Sequence, residues 1–175
     1  AGYGTRLGKL TQNLPKALVR VGDRTILDHN IRKLLQIGVT EILINTHYQA
    51  EKVLDFLETT KYRATVKTIF EPKLLGTAGT LKNNIGYFRG ENFIVMHGDN
   101  YFTSSLDTLV NAHLNQPEQI LMTMATFDTS NPTAAFAIVL DPTEAGPCHP
   151  DLVSFTSDKV SLTSSILQIL DGVET

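Results

Sequence analysis

Residues 25–45 read TILDHNIRKLLQIGVTEILIN, and the change of rhythm inside this stretch decides the fold class. Apolar Ile26, Leu27, Ile31, Leu34 and Leu35 recur at helical spacing from Thr25 to Ile37, and Gly38 follows as a natural C-terminal stop. Glu41 to Asn45 is then a short, nearly continuous apolar run, the pattern of a strand buried on both faces.

The same alternation continues downstream. Gln49 to Glu58 predicts a helix with Val53, Leu54 and Leu57 on one face, and Ala64 to Phe70 predicts a strand. Gly79 to Ile85 fits a helix, Asn92 to Met96 a buried strand, Leu106 to Leu114 a helix and Ile120 to Phe127 a strand. A further strand is expected over Ala135 to Asp141. Short doubly buried strands separated by amphipathic helices define an α/β fold with an open, mostly parallel sheet and helices on both faces. After Asp141, Pro142, Gly146, Pro147 and Pro150 crowd together, and Ser154 to Thr175 is rich in Ser and Thr with patchy periodicity. Residues 142–175 therefore read as a divergent or irregular tail of one domain covering 1–175.

Bulk composition narrows the partners. A chain of 175 residues with 42% hydrophobic and 19% charged residues has the material for one packed core. Fifteen basic against eighteen acidic residues give a net charge of −3, which leaves no broad cationic surface for nucleic acid or an anionic membrane. An anionic ligand has to be held by a local site. Cys148 is the single cysteine, so no intrachain disulfide forms. No apolar run approaches the roughly 20 residues of a membrane span, and the first residues carry no signal pattern, so a cytoplasmic protein is expected.

Three stretches carry chemistry. The first is Gly2-x-Gly4-Thr5-Arg6-Leu7, followed by Thr11, Pro15 and Lys16. Glycines expose amide donors to a polyphosphate, Arg6 can clamp phosphate oxygens in a fork, and Lys16 offers a point charge. A dinucleotide fingerprint fails because Leu7 stands where the third glycine belongs, and the Gly-Lys-Ser/Thr of a Walker A loop is missing. An ordinary turn with an exposed lysine accounts for the same residues equally well. The loop starts at residue 1 with no strand before it, so the fold reads as incomplete at its N-terminus.

The second stretch is Glu71-Pro72, then Leu75-Gly76-Thr77-Ala78-Gly79-Thr80. It follows a predicted strand, and Glu71 can accept hydrogen bonds from the N–H groups of a base; a solvated surface carboxylate is the commoner role for a lone glutamate. The third is His97-Gly98-Asp99-Asn100, directly after the strand that ends at Met96. A carboxylate at the carboxyl end of a parallel strand is placed to hold Mg²⁺, although Gly-Asp-Asn is also a strong turn sequence.

In this order, Gly-x-Gly-Thr-Arg-Leu, Pro-Lys, Glu, Leu-Gly-Thr-Ala-Gly and Gly-Asp-Asn resemble the sugar-1-phosphate nucleotidyltransferases, with the nearest likeness to the mannose-1-phosphate guanylyltransferase type. Asn45-Thr46-His47-Tyr48 is similar to that branch as well. The resemblance covers residue 1 to about Asp141 and implies a Rossmann-like nucleotidyltransferase domain. It implies that the amides around Gly2, Gly4 and Thr5 cradle a nucleoside triphosphate, with Arg6 on its phosphates. Lys16 would neutralise charge at the reacting groups. Glu71 with Gly76, Thr77 and Gly79 would read base and ribose, and Asp99 would hold Mg²⁺. A sugar 1-phosphate is the implied second substrate, and the family pattern admits a homo-oligomer. The family's later sugar-contacting Phe-x-Glu-Lys element has at best a shifted counterpart at Phe155 to Lys159, and no second metal-binding aspartate matches. Two alternatives stay open: a non-catalytic regulatory subunit that binds a nucleotide sugar, and a transferase acting on a non-sugar phosphate.

Overall fold

The computed structural model describes residues 11–88, 92–117, 120–125, 152–156 and 167–170. The expected glycine-rich loop with Gly2, Gly4, Thr5 and Arg6, and the strand expected over Ala135 to Asp141, lie outside the described residues. The chain divides into two compact units: one holds the chain up to Gly76 together with Gly98–Ser105, the other Thr77–His97 and the chain from Leu106 onward.

The first unit opens with a 3-10 turn over Lys16–Leu18 and a hairpin of β1 (Arg20–Val21) and β2 (Arg24–Thr25). Gly22 takes φ +66° in its two-residue loop, a conformation that a glycine adopts without Cβ strain. Sequence periodicity is blind to so short a hairpin. Helix α1 (Ile26–Gln36) follows, one residue inside each predicted bound. Thr25 starts it, its Oγ1 accepting from the Asp28 amide at 3.1 Å. It ends as Gly38 predicts: at φ +89° the Gly38 amide donates to the Leu35 carbonyl and Val39 to that of Leu34, a Schellman closure. Ile26, Leu27, Ile31 and Leu34 are buried, so the apolar stripe faces the core as its spacing requires.

Strand β3 (Ile42–Thr46), helix α2 (Ala50–Glu58) and strand β4 (Val66–Phe70) form a β–α–β unit. The two strands pair in parallel from Ile42 opposite Val66 to Thr46 opposite Phe70. Helix α2 buries Ala50, Val53 and Leu57, and Tyr62 is buried after it. Each strand begins or ends within two residues of its expected bound.

The second unit carries most of helix α3 (Gly76–Asn83), which starts at the first glycine of the loop rather than at Gly79, and a 3-10 turn over Ile85–Tyr87. Its sheet has the order β5-β8-β6-β7, formed by β5 (Phe93–Val95), β6 (Ile120–Ala125), β7 (Leu152–Thr156) and β8 (Leu167–Leu170). Strand β8 is antiparallel to both β5 and β6, so those two run in the same direction with β8 between them. Both β7 and β8 fall in the stretch that reads from sequence as an irregular tail. Its Ser and Thr content hides them, because Thr suits a strand as well as a loop. Helix α4 (Asp107–Leu114) packs on β6, where His113 Nδ1 meets Thr123 Oγ1 at 2.9 Å with both residues buried. Among the described residues no helix is long and apolar enough to cross a membrane.

Candidate active site

Lys16 is delivered by a segment tied down from the side. Tyr48 and the Gln49 side-chain amide each donate to the Gln12 carbonyl at 3.2 Å, and Lys52 donates to that of Asn13. Gln49 adopts left-handed φ 50°, which turns the end of β3 into α2 and aims its side chain back at this segment. Pro15 then sets an extended backbone (φ −57°, ψ 140°), and Leu18 N–H donates to the Pro15 carbonyl at 2.8 Å to close the turn. Leu18 is buried, which pins the turn and leaves the Lys16 side chain on its outer side.

There Lys16 Nζ meets Asp99 Oδ2 at 2.8 Å, with the two side chains 32% and 40% exposed. Asp99 sits in the turn Gly98–Asn100, which follows β5 in the chain and belongs to the same unit as Lys16. Helix α1 holds that turn. Buried Asn30 donates from Nδ2 to the Asn100 carbonyl at 2.9 Å and to that of Gly98 at 3.4 Å. One helical turn on, Lys33 Nζ donates to the carbonyls of Thr103 and Ser104 at 3.2 and 2.6 Å. His29 packs edge-on against Tyr101 with ring centroids 5.1 Å apart. The turn that carries Asp99 is thus tied to helix α1.

Whether Asp99 suits Mg²⁺ follows from its chemistry. It is a hard oxygen donor, partly open to solvent, and no cluster of three or more His, Cys, Asp or Glu side chains stands among the described residues. Mg²⁺ is commonly held by one or two carboxylates with substrate phosphates completing the shell. One accessible carboxylate beside a lysine fits that kind of site, and it does not fit an all-protein cage.

Glu71 lies at the end of β4 and is 5% exposed, so it is no solvated surface carboxylate. Its amide donates to the Thr46 carbonyl at 2.9 Å, and its carbonyl lies 2.7 Å from His47 Nδ1. The ends of β3 and β4 are thereby joined through His47 and Glu71. Gly76 has φ +73° with open space where a Cβ would sit, so the backbone turn itself calls for glycine there. Thr77 and Gly79 stand in the first turns of α3.

Of the residues singled out in the sequence, Lys16 and Asp99 are brought into contact. Glu71 is buried beside His47, which the sequence offered only as part of a resemblance. Asn30 was missed, and its signal was available: a polar residue inside the apolar stripe of α1, between Leu27 and Ile31, needs a buried partner.

The chain matches the family described as nucleotidyl transferase over residues 1–145. It is 42% identical over 83 residues to the mannose-1-phosphate guanyltransferase of Debaryomyces hansenii, covering 46% of this chain and 23% of that protein. With the mannose-1-phosphate guanyltransferase of Saccharomyces cerevisiae it shares 36% identity over 102 residues, covering 56% and 28%. The chain thus spans about a quarter of the length of these curated relatives. The crystal structure of HddC from Yersinia pseudotuberculosis shares the fold, with a TM-score of 0.64 at 23% identity over 97% of this chain and 73% of that one.

Proposed function

The chain belongs to the nucleotidyl transferase family, and from that premise we propose that it carries the nucleotide half of a sugar-1-phosphate nucleotidyltransferase. In this reading a phosphate oxygen of the sugar 1-phosphate attacks the α-phosphorus of a nucleoside triphosphate. The bond from that phosphorus to the bridging oxygen breaks, pyrophosphate leaves with the electron pair, and a nucleoside diphosphate sugar forms. Guanosine triphosphate and mannose 1-phosphate are the substrates that the names of the two curated relatives favour. A reaction between two soluble phosphates suits a cytoplasmic protein.

The observation that carries the reading is the 2.8 Å contact of Lys16 with Asp99 on a turn clamped by α1. In-line transfer between phosphates asks little covalent chemistry of a protein. It asks for fixed charge and fixed position. Lys16 would stabilise negative charge that builds on the phosphoryl oxygens. Asp99 would hold Mg²⁺, which supplies charge neutralisation to the triphosphate when bound. Glu71, with Gly76, Thr77 and Gly79, would receive base and ribose, and Gly2, Gly4, Thr5 and Arg6 would bind the phosphates. A non-catalytic nucleotide-sugar-binding subunit has no need of a lysine–carboxylate pair at the phosphates, and the presence of both residues favours the enzyme.

The test is pyrophosphate release with each nucleoside triphosphate, in Mg²⁺, against a panel of sugar 1-phosphates and choline phosphate. Turnover with GTP and a hexose 1-phosphate is expected. Tight nucleotide binding without turnover on any acceptor would make this a regulatory subunit, and turnover on choline phosphate alone would replace the sugar.

A further inference from the structure

We infer that Asn30 is the positioning residue of Asp99, and that helix α1 thereby sets the geometry of the metal-holding carboxylate; the inference rests on the reading of Asp99 given above. Asn30 is 3% exposed and lies in the buried stripe of α1 with Leu27, Ile31 and Leu34. An amide NH₂ group in an apolar face is costly to desolvate unless it is bonded, and at Asn30 only that end is, the buried Oδ1 having no hydrogen-bond partner among the described residues. Here its nitrogen reaches the carbonyls on either side of Asp99, at 2.9 Å to Asn100 and 3.4 Å to Gly98. Carbonyl oxygens only accept, so the NH₂ end must face them and the orientation of the amide is fixed by chemistry.

The two hydrogens of one NH₂ group therefore straddle Asp99. Holding the carbonyls of the residues before and after Asp99, in the 98–99 and 100–101 peptides, fixes the turn that carries its Cα–Cβ direction, while the carboxylate itself stays available to ligands. Lys33 repeats the device at the far end of the same segment through Thr103 and Ser104. From the other side, Lys16 meets the carboxylate at 2.8 Å. In this arrangement Asn30 acts through Asp99. Outer-shell partners of a metal-holding carboxylate typically contribute a factor of about 10–100 in metal affinity.

The experiment measures Mn²⁺ affinity by water-proton relaxation in the presence of GTP, beside kcat and KM for GTP, in Asn30→Ala, Asp99→Asn and the double variant of the full chain. Asn30→Ala is expected to weaken Mn²⁺ by about 10–100-fold and to lower kcat, while KM for GTP changes little. In the Asp99→Asn background the same substitution should add almost nothing, because its path runs through that carboxylate. Unchanged Mn²⁺ affinity in Asn30→Ala, or an equal loss with and without Asp99, overturns the inference and leaves a packing role. Should Asn30→Ala unfold, Asn30→Ser, which keeps a polar group at the position, decides on the same readouts. An unaltered Mn²⁺ affinity in Asp99→Asn alone sinks the reading of the carboxylate itself, and the inference with it.

Discussion

Lys16 and Asp99, 83 positions apart in the chain, meet through a single Nζ to Oδ2 contact of 2.8 Å. The two side chains are 32% and 40% exposed. Ion pairs of that exposure contribute roughly 0–1 kcal/mol to stability and are weakened further by salt. Folding therefore gains little from this pair, and a ligand can rearrange it at small cost. A contact that is cheap to break and held from both sides by rigid elements is suited to chemistry more than to stability.

Asp99→Asn should accordingly separate activity from folding. The melting temperature is expected to stay within a few degrees of the parent, the shift that about 1 kcal/mol produces in a domain of this size. Mg²⁺-dependent pyrophosphate release should fall by roughly 100-fold or more, as expected when a metal-holding carboxylate is lost. Parallel thermal scans and rate measurements at several Mg²⁺ concentrations check both halves. Rates equal to the parent at every concentration would remove Asp99 from the site.

Lys16→Ala tests the partner. A fixed positive charge beside a transferring phosphoryl group contributes through the transition state, so kcat should fall by about 10²–10³-fold. Lys67 is the control: it is exposed and pairs with Glu41 at 3.2 Å on the outer part of β4. Lys67→Ala should leave turnover within about twofold, since an exposed pair of that kind contributes roughly 0.2–1 kcal/mol at most. Comparable losses from the two substitutions would point to a diffuse electrostatic field instead.

How much of this was legible in the sequence depends on the range of the signal. Helices α1 and α2 and strands β3 and β4 follow their local periodicity to within one or two residues. The hairpin at Arg20–Thr25 carries no periodic signal in two-residue strands, so only Gly22 and Asp23 mark it. Strand β8 between β5 and β6 is a long-range pairing, and no local pattern encodes which strand fills a gap. For the site, Lys16 and Asp99 were readable as residue types at family spacing, whereas their contact was not. The burial of Glu71 ran against the usual fate of a glutamate and came from tertiary packing at the β3–β4 edge. Asn30 shows the opposite case, a legible anomaly in the stripe of α1 whose partner only the fold reveals.

Gly76→Ala is expected to destabilise the protein through the backbone alone. Nothing lies within 4 Å of the position a Cβ would take, so no clash arises. The cost comes from φ +73°, a conformation that costs an L-residue with a Cβ about 1–2 kcal/mol. Gly86 is the matched control, with equally open space and no left-handed φ, and Gly86→Ala should be close to neutral. Denaturant midpoints of the two variants measured side by side give the comparison. Equal midpoints would mean that residue 76 relaxes out of the left-handed region at no cost.

Tyr62 makes the protein's stability depend on alkaline pH. Burial pushes its hydroxyl above the usual tyrosine range, and the negative charge of nearby Asp28 adds to the rise, partly opposed by Arg32 and Arg24. The unfolded chain releases this proton near pH 10, while the folded chain holds it to a higher pH. Between those values the native state binds more protons than the unfolded state, so stability falls as pH rises. The contribution is therefore fully present below about pH 10 and is lost as the pH climbs through the raised folded value. Tyr62→Phe removes the titration and keeps the ring on which Arg32 rests, 5.5 Å from its centroid. The hydroxyl finds no hydrogen-bond partner of normal geometry among the described residues, so its removal leaves no new unpaired group. Near neutral pH the variant should match the parent within about 1 kcal/mol or exceed it. Above pH 10 its stability should decline less steeply with pH, measured by urea unfolding in steps of pH and compared with Tyr101→Phe, where the parent residue is 45% exposed. Parallel alkaline limbs for the parent and Tyr62→Phe would show that the buried hydroxyl does not drive the loss.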